Sequence, residues 1–158
     1  VTILRATGEL GDWGVFPTEL SQQLRPLTAE FMINFYAGDL VESGSYSEVY
    51  KFQTPVVTVQ TGVHEGTYPA TYSFLTWKGD RLLFSNLKKK LGGEDVMARF
   101  ANYSNEPTTL YIKKEDITEA YKSNVLEEQV ETLTVNAEGF YEIAVRGAEI
   151  VTIGLKKC

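Results

Sequence analysis

The sequence predicts an all-β fold, an antiparallel β-sandwich carrying one short helix, on three observations. From residue 56 onward the chain is a series of short apolar or alternating runs: "VVTVQT", "TYSFLTW", "DRLLFSNLKK", "DVMARFANYS", "TTLYIKK", "ITEAYKSN", "VETLTV", "FYEIAV" and "AEIVTIGLKK". Between them stand residues that turns require, with glycines in "KGD" and "GGED", Asn and Pro in "SNEP", and Asn136 and Gly139 in "NAEG". Apolar residues make up 43% of the chain and charged residues 23%, close to ordinary globular usage, so the runs have a core to build. Many short strands at near-regular spacing pack as two sheets.

Taken in order, "VTILRA" reads as a strand by its β-branched residues. A long loop over residues 7–28 follows, punctuated by Gly, Pro and Asp, and loops of that length tend to be functional or to pack on another part of a protein. A strand resumes over residues 29–37 in "AEFMINFYAG". The one helical signature is "SGSYSEVYKFQTP": Ser45 stands three residues before Glu48 as a capping box, Tyr46, Val49 and Tyr50 have helical spacing, and Pro55 stops the run. A short helix near residues 45–53 is the expectation. In the hairpin "VMARFANYSNEPTTLYIKK", alternation puts Val96, Ala98 and Phe100 on one face and Met97, Arg99 and Ala101 on the other.

Size and charge bound the function. At 158 residues the chain is long enough for a full domain, which buries roughly 70% of its unfolded surface. The net charge of −6 argues against a nucleic-acid partner, because phosphate backbones are held by clustered Lys and Arg. The only basic run, "KKK" at residues 88–90, reads as a solvated strand edge. No apolar run reaches the roughly 20 residues of a spanning helix, so no membrane partner is expected. Cys158 is the single cysteine, which rules out an internal disulfide and a Cys-based metal site and permits a reducing compartment. Val1 opens in the middle of an apolar run, so the chain reads as a piece of a longer polypeptide.

Candidate chemistry is sparse. His64 is the only histidine, and with Glu65 beside it an acid/base pair or a metal ligand comes to mind, but zinc needs three or four ligands and neighbouring side chains point apart. The pair reads as surface loop. A glycosidase needs two carboxylates about 5 to 9.5 Å apart, a spacing that abundant Asp and Glu meet by chance. "LEEQVE" at residues 126–131 reads as an exposed acidic stretch. There is no G-x-S-x-G, P-loop or G-x-G-x-x-G, and "GELGDWG" lacks the Lys and the strand-to-helix context of a phosphate loop. Trp77 is expected to close the sandwich core at a strand end. Trp13, in the Gly-rich loop, is expected to pack on a further part of the protein or to touch ligand. Arg5, inside an apolar strand, needs a salt bridge, solvent or a ligand to satisfy its charge.

Taken together, "ILRATGELGDW", "QLRPLTAEFMINFY", "FQTPVVTVQT", "MARFANYSNEPTTLYI" and "GAEIVTIGLKK" resemble, in that order, the C-terminal end of glycoside hydrolase family 38, the α-mannosidases, in the branch that includes mannosylglycerate hydrolases. Arg99, Phe100, Asn102 and Tyr103 carry the third element, and Glu149, Ile150, Val151 and Thr152 the last; "RGAE" departs from the family, with Gly147 and Ala148 where a Pro and an aromatic are common. The resemblance implies that residues 1–61 are the closing strands, long loop and linker of a larger, galactose mutarotase-like supersandwich, and residues 62–158 a C-terminal β-sandwich. It implies retaining α-mannoside hydrolysis by an Asp, aided by zinc on His and Asp ligands, all on an N-terminal α/β domain whose motifs have no counterpart here. No cofactor is therefore expected in this chain. Its partners would be those N-terminal domains, the α-mannoside substrate of the intact enzyme and, in the isolated piece, a second copy; the setting would be a bacterial cytoplasm. Arg5 and Trp13 would lie on the substrate rim. The competing expectations are a free-standing β-sandwich that binds carbohydrate through Trp13, Trp77 and nearby Tyr residues, and an Ig-like structural module.

Overall fold

The computed structural model describes residues 2–10, 16–22, 25–113 and 115–157. Two compact units divide the chain, Val1–Ile33 and Asn34–Cys158. In the first, β1 (Glu9–Leu10) pairs antiparallel with β2 (Phe16–Pro17), and a 3-10 turn follows at Glu19–Ser21. Short polar side chains close this motif: Thr18 Oγ1 donates to the Thr7 carbonyl at 2.7 Å, and the Ser21 hydroxyl reaches the same oxygen. The stretch expected as a loop over residues 7–28 thus holds a small hairpin of its own.

Three expected strands do not form. Residues 2–6, 29–37 and 56–61 form no ladder with any described residue. Their composition is β-like, but β-propensity expresses fit to a half-buried pleated surface, and no strand among the described residues supplies one. Of "TYSFLTW" only the last residue enters a strand, β3 (Trp77–Lys78). The expected helix is present as α1 (Ser45–Gln53), with a different start. Gly44 is the N-cap, at φ 71°, and Ser45 is already the first helical residue, so the capping box does not form. The helix is fixed to the sandwich by its tyrosines. Tyr46 lies 5.0 Å from the Tyr103 ring, and Tyr50 Oη donates to the Ser85 carbonyl at 2.9 Å.

The remaining strands are β4 (Leu82–Lys89), β5 (Val96–Asn102), β6 (Thr108–Lys113), β7 (Ile117–Ser123), β8 (Gln129–Thr132), β9 (Phe140–Val145) and β10 (Ile150–Lys157). They form an antiparallel five-stranded sheet in the order β4-β5-β10-β7-β8 and a three-stranded sheet in the order β3-β6-β9. The C-terminal strand is therefore central, paired with β5 through Ile153↔Ala98 and with β7 through Leu155↔Ala120. Ala98, Phe100, Ala120, Val151, Ile153 and Leu155 from the larger sheet pack on Leu110, Ile112, Tyr141, Ile143 and Val145 from the smaller one. These make one core between two sheets, as the alternating runs predict.

Candidate functional site

Two turns meet on one buried side chain. Asn102, 4% exposed, donates through Nδ2 to the carbonyls of Glu106 and Arg146 at 2.8 and 2.9 Å, while its Oδ1 accepts from the Ser104 amide at 2.9 Å. This joins the "SNEP" turn to the turn before β10. Gly147 sits against the Asn105 backbone so closely that any Cβ would collide with it. The same end is fixed by Glu149, which accepts from Lys122 Nζ at 2.8 Å and from the Arg146 amide at 2.7 Å. Burial works against the Glu149 carboxylate, but the Lys122 and Arg146 bonds prevail and hold its pKa below the ordinary value.

The outer face of the larger sheet is covered, contrary to a simple inside/outside alternation. Met97 points away from the core yet is 1% exposed, because Tyr121 lies beside it over Gly154. Tyr121 Oη donates to Asp95 Oδ2 at 2.6 Å and accepts from Lys90 Nζ at 3.2 Å. Burial, then the Asp95 bond, push its phenol up to about 12. Glu127, expected on an exposed acidic stretch, is instead buried: it pairs with Lys88 and accepts the Leu91 amide at 2.9 Å. Those two bonds hold its carboxyl below the usual range. The "KKK" run is correspondingly no merely solvated edge. Lys88 meets Glu127, Lys89 meets Glu94 at 2.7 Å, and Lys90 lies over the Tyr121 ring.

The outer face of the smaller sheet carries an open cavity of about 700 Å³. Its floor is a cross-strand row, because Lys78 pairs with Tyr111 and Tyr111 with Glu142. Thr109 and Ala144 face each other in the next row, and Gly79 lies close to the Thr109 carbonyl, so small residues leave the depression open. Lys78 Nζ sits 5.0 Å from the Tyr111 ring centre and 4.5 Å from that of Phe140. Asp80 and Glu138 also line the cavity. The turn that carries Glu138 is shaped by Asn136, whose Oδ1 accepts the amides of Glu138 and Phe140 at 3.0 Å each.

Of the residues singled out in the sequence, Trp77 faces the core and meets the Phe100 ring edge-on at 5.0 Å, so it is no sugar platform. Trp13 and Cys158 lie outside the described residues. Arg5 is exposed on an irregular segment and makes no salt bridge to another described residue, which removes the expected strand around it. His64 and Glu65 lie on an exposed loop, the ring bonded to Thr61 Oγ1 and the Glu65 carbonyl. This donor set does not fit zinc. Among the described residues no three His, Cys, Asp or Glu side chains converge on a point.

The fold and its faces define an antiparallel β-sandwich domain. Residues 81–153 match the family model described as the glycosyl hydrolases family 38 C-terminal beta sandwich domain, and this part of the chain is such a domain. The chain is also 32% identical over 154 residues to a protein of Halalkalibacterium halodurans named only as a candidate mannosylglycerate hydrolase. That match covers 97% of this chain and 17% of the bacterial protein, so the chain spans about a sixth of its relative's length.

Proposed function

We propose that this chain is the non-catalytic C-terminal β-region of a family 38 enzyme acting on α-mannosides, and that its segment before the sandwich seats against the polypeptide bearing the catalytic centre. The observation that carries this is the apolar surface left open there. Phe31 is 69% exposed, Phe35 90% and Val57 82%, with Ile3, Leu4, Ile33, Val56 and Val59 exposed alongside. Large apolar side chains left this open, gathered within neighbouring stretches of the sequence, mark an interaction site. The H. halodurans relative's name and the small share of it that aligns with this chain agree with a catalytic part elsewhere. In that arrangement zinc and its His and Asp ligands belong to the other part, and Arg5 and Trp13 approach the substrate rim.

The test is hydrolysis of an aryl α-mannoside by this chain alone and by a longer polypeptide that includes it. The expected result is no turnover by the 158 residues and turnover by the longer form. Turnover by the short chain would overturn the division of roles. Within an active longer form, Arg5→Ala should raise KM or lower kcat/KM, and unchanged kinetics would remove Arg5 from the rim.

A further inference from the structure

We infer that the cavity on the outer face of the three-stranded sheet is a binding site for a neutral oligosaccharide, centred on Tyr111. Charge narrows the ligand class first. Asp80, Glu138 and Glu142 line the cavity against one cation, Lys78, so an anionic ligand meets net repulsion. The carboxylates lie in different strands and turns, and no three of them converge on a point that could hold a metal ion. Spread acceptors of this kind suit a ligand that brings several separated donors, and the hydroxyls of a sugar chain are such a set. Among the described residues the hydroxyls of Tyr111 and Thr109 have no side-chain partner, and neither do the carboxylates of Asp80 and Glu138. Each is available to a ligand.

The aromatic centre adds to this. An electron-rich ring face attracts positive charge, and Lys78 already occupies it over both Tyr111 and Phe140. Lys78 is exposed, so the ring face it covers is reached from solvent. The C–H face of a pyranose carries partial positive charge and can take the same position, releasing the ammonium to water. Tyr111 and Phe140 stand edge-on, 6.4 Å apart, which holds the Tyr111 ring in place before any ligand arrives. The sugar-stacking role considered for Trp77 thus falls to a residue on the opposite face of the same small sheet.

The experiment is titration of the isotope-labelled 158-residue chain with mannotriose and maltotriose, with glycerate as the anionic comparison, followed by amide chemical shifts. Shifts centred on Tyr111, Phe140 and Glu142 are expected with at least one trisaccharide, insensitive to salt because the ligand is neutral. Tyr111→Ser should weaken that binding about tenfold or more, a loss of about 1.4 kcal/mol, and Glu142→Gln should weaken it by a smaller factor. Glu142 is an exposed strand residue, so its variant keeps the test open if Tyr111→Ser folds poorly. Shifts elsewhere, stronger binding of glycerate, or equal affinity in both variants would overturn the site. Absence of any shift up to saturating sugar would do so as well. Because the reading is binding by this chain and not hydrolysis, its failure leaves the proposed function standing, and the converse holds.

Discussion

Asn102 satisfies two carbonyls and one amide of different turns, so truncating it removes one buried and two part-buried hydrogen bonds at once. Each buried polar group left unpaired costs on the order of 1–3 kcal/mol. Asn102→Ala is therefore expected to lower unfolding free energy by about 3 kcal/mol in urea titration, and a loss within the scatter of a surface substitution would contradict the clamp. Gly154 is a different kind of residue-scale constraint. A methyl group there enters the Tyr121 ring at the centre of the larger sheet, so Gly154→Ala should cost about 1–3 kcal/mol by overpacking. Tyr121 itself reports through pH. Its phenol is raised to about 12 against an ordinary 10.0, so the folded state holds the proton more tightly than the unfolded one. The stabilisation is complete below pH 10 and is lost as pH rises through the folded value, by about 3 kcal/mol at most. Lys156 and Tyr141 are raised as well, so Tyr121→Phe should make the alkaline fall in melting temperature shallower without abolishing it. An unchanged alkaline limb would show that the hydroxyl does not carry that share.

At the scale of elements, the acid side belongs to the turns. Glu127, after β7, and Glu149, before β10, both have carboxyls held below 4.5 by their partners, so the stability they confer is present above that value and lost as pH falls through the folded ones. The double variant Glu127→Gln and Glu149→Gln should have a lower melting temperature at neutral pH and a flatter acid limb, read by circular dichroism; an acid limb as steep as that of the native chain would sink the assignment. Glu127 also shows where sequence reading stops. Strands β4 to β7, β9 and β10 were legible, because alternation and turn residues are local and both faces of each strand leave a trace. The Ala98/Phe100 face and the inward Trp77 were read correctly for the same reason. The burial of Met97 and Glu127 was not legible, since the first depends on Tyr121 crossing Gly154 from a strand that is not its neighbour in sequence, and the second on a loop after β7 meeting a turn some 35 residues earlier in the chain. The cavity was equally hidden: Lys78, Tyr111 and Glu142 become a row only through the register of three strands. The runs over residues 29–37 and 56–61 misled in the other direction, as their composition is that of strands and they pair with no described residue.

For the whole molecule, those unpaired runs make the proposed seating measurable. The backbone amides of residues 29–37 and 56–61 have no ladder to any described residue to protect them, whereas β5, β6, β7, β9 and β10 surround a closed core. Hydrogen exchange should therefore be fast across the first two segments and slow across the strands. In a longer polypeptide that supplies the covering surface, the same two segments should become protected while the sandwich pattern stays as it was. Substituting Phe35→Asp and Val57→Asp should abolish that protection and leave the melting of the sandwich unchanged, because both side chains lie open to solvent in this chain, at 90% and 82%. The same substitutions should reduce any concentration-dependent association of the short chain, since exposed apolar surface drives both contacts. Segments that exchange equally fast in the short and the long form would mean that the apolar run is not a seat. The C-terminal sandwich would then stand beside its neighbours as a separate body, joined through its linker alone.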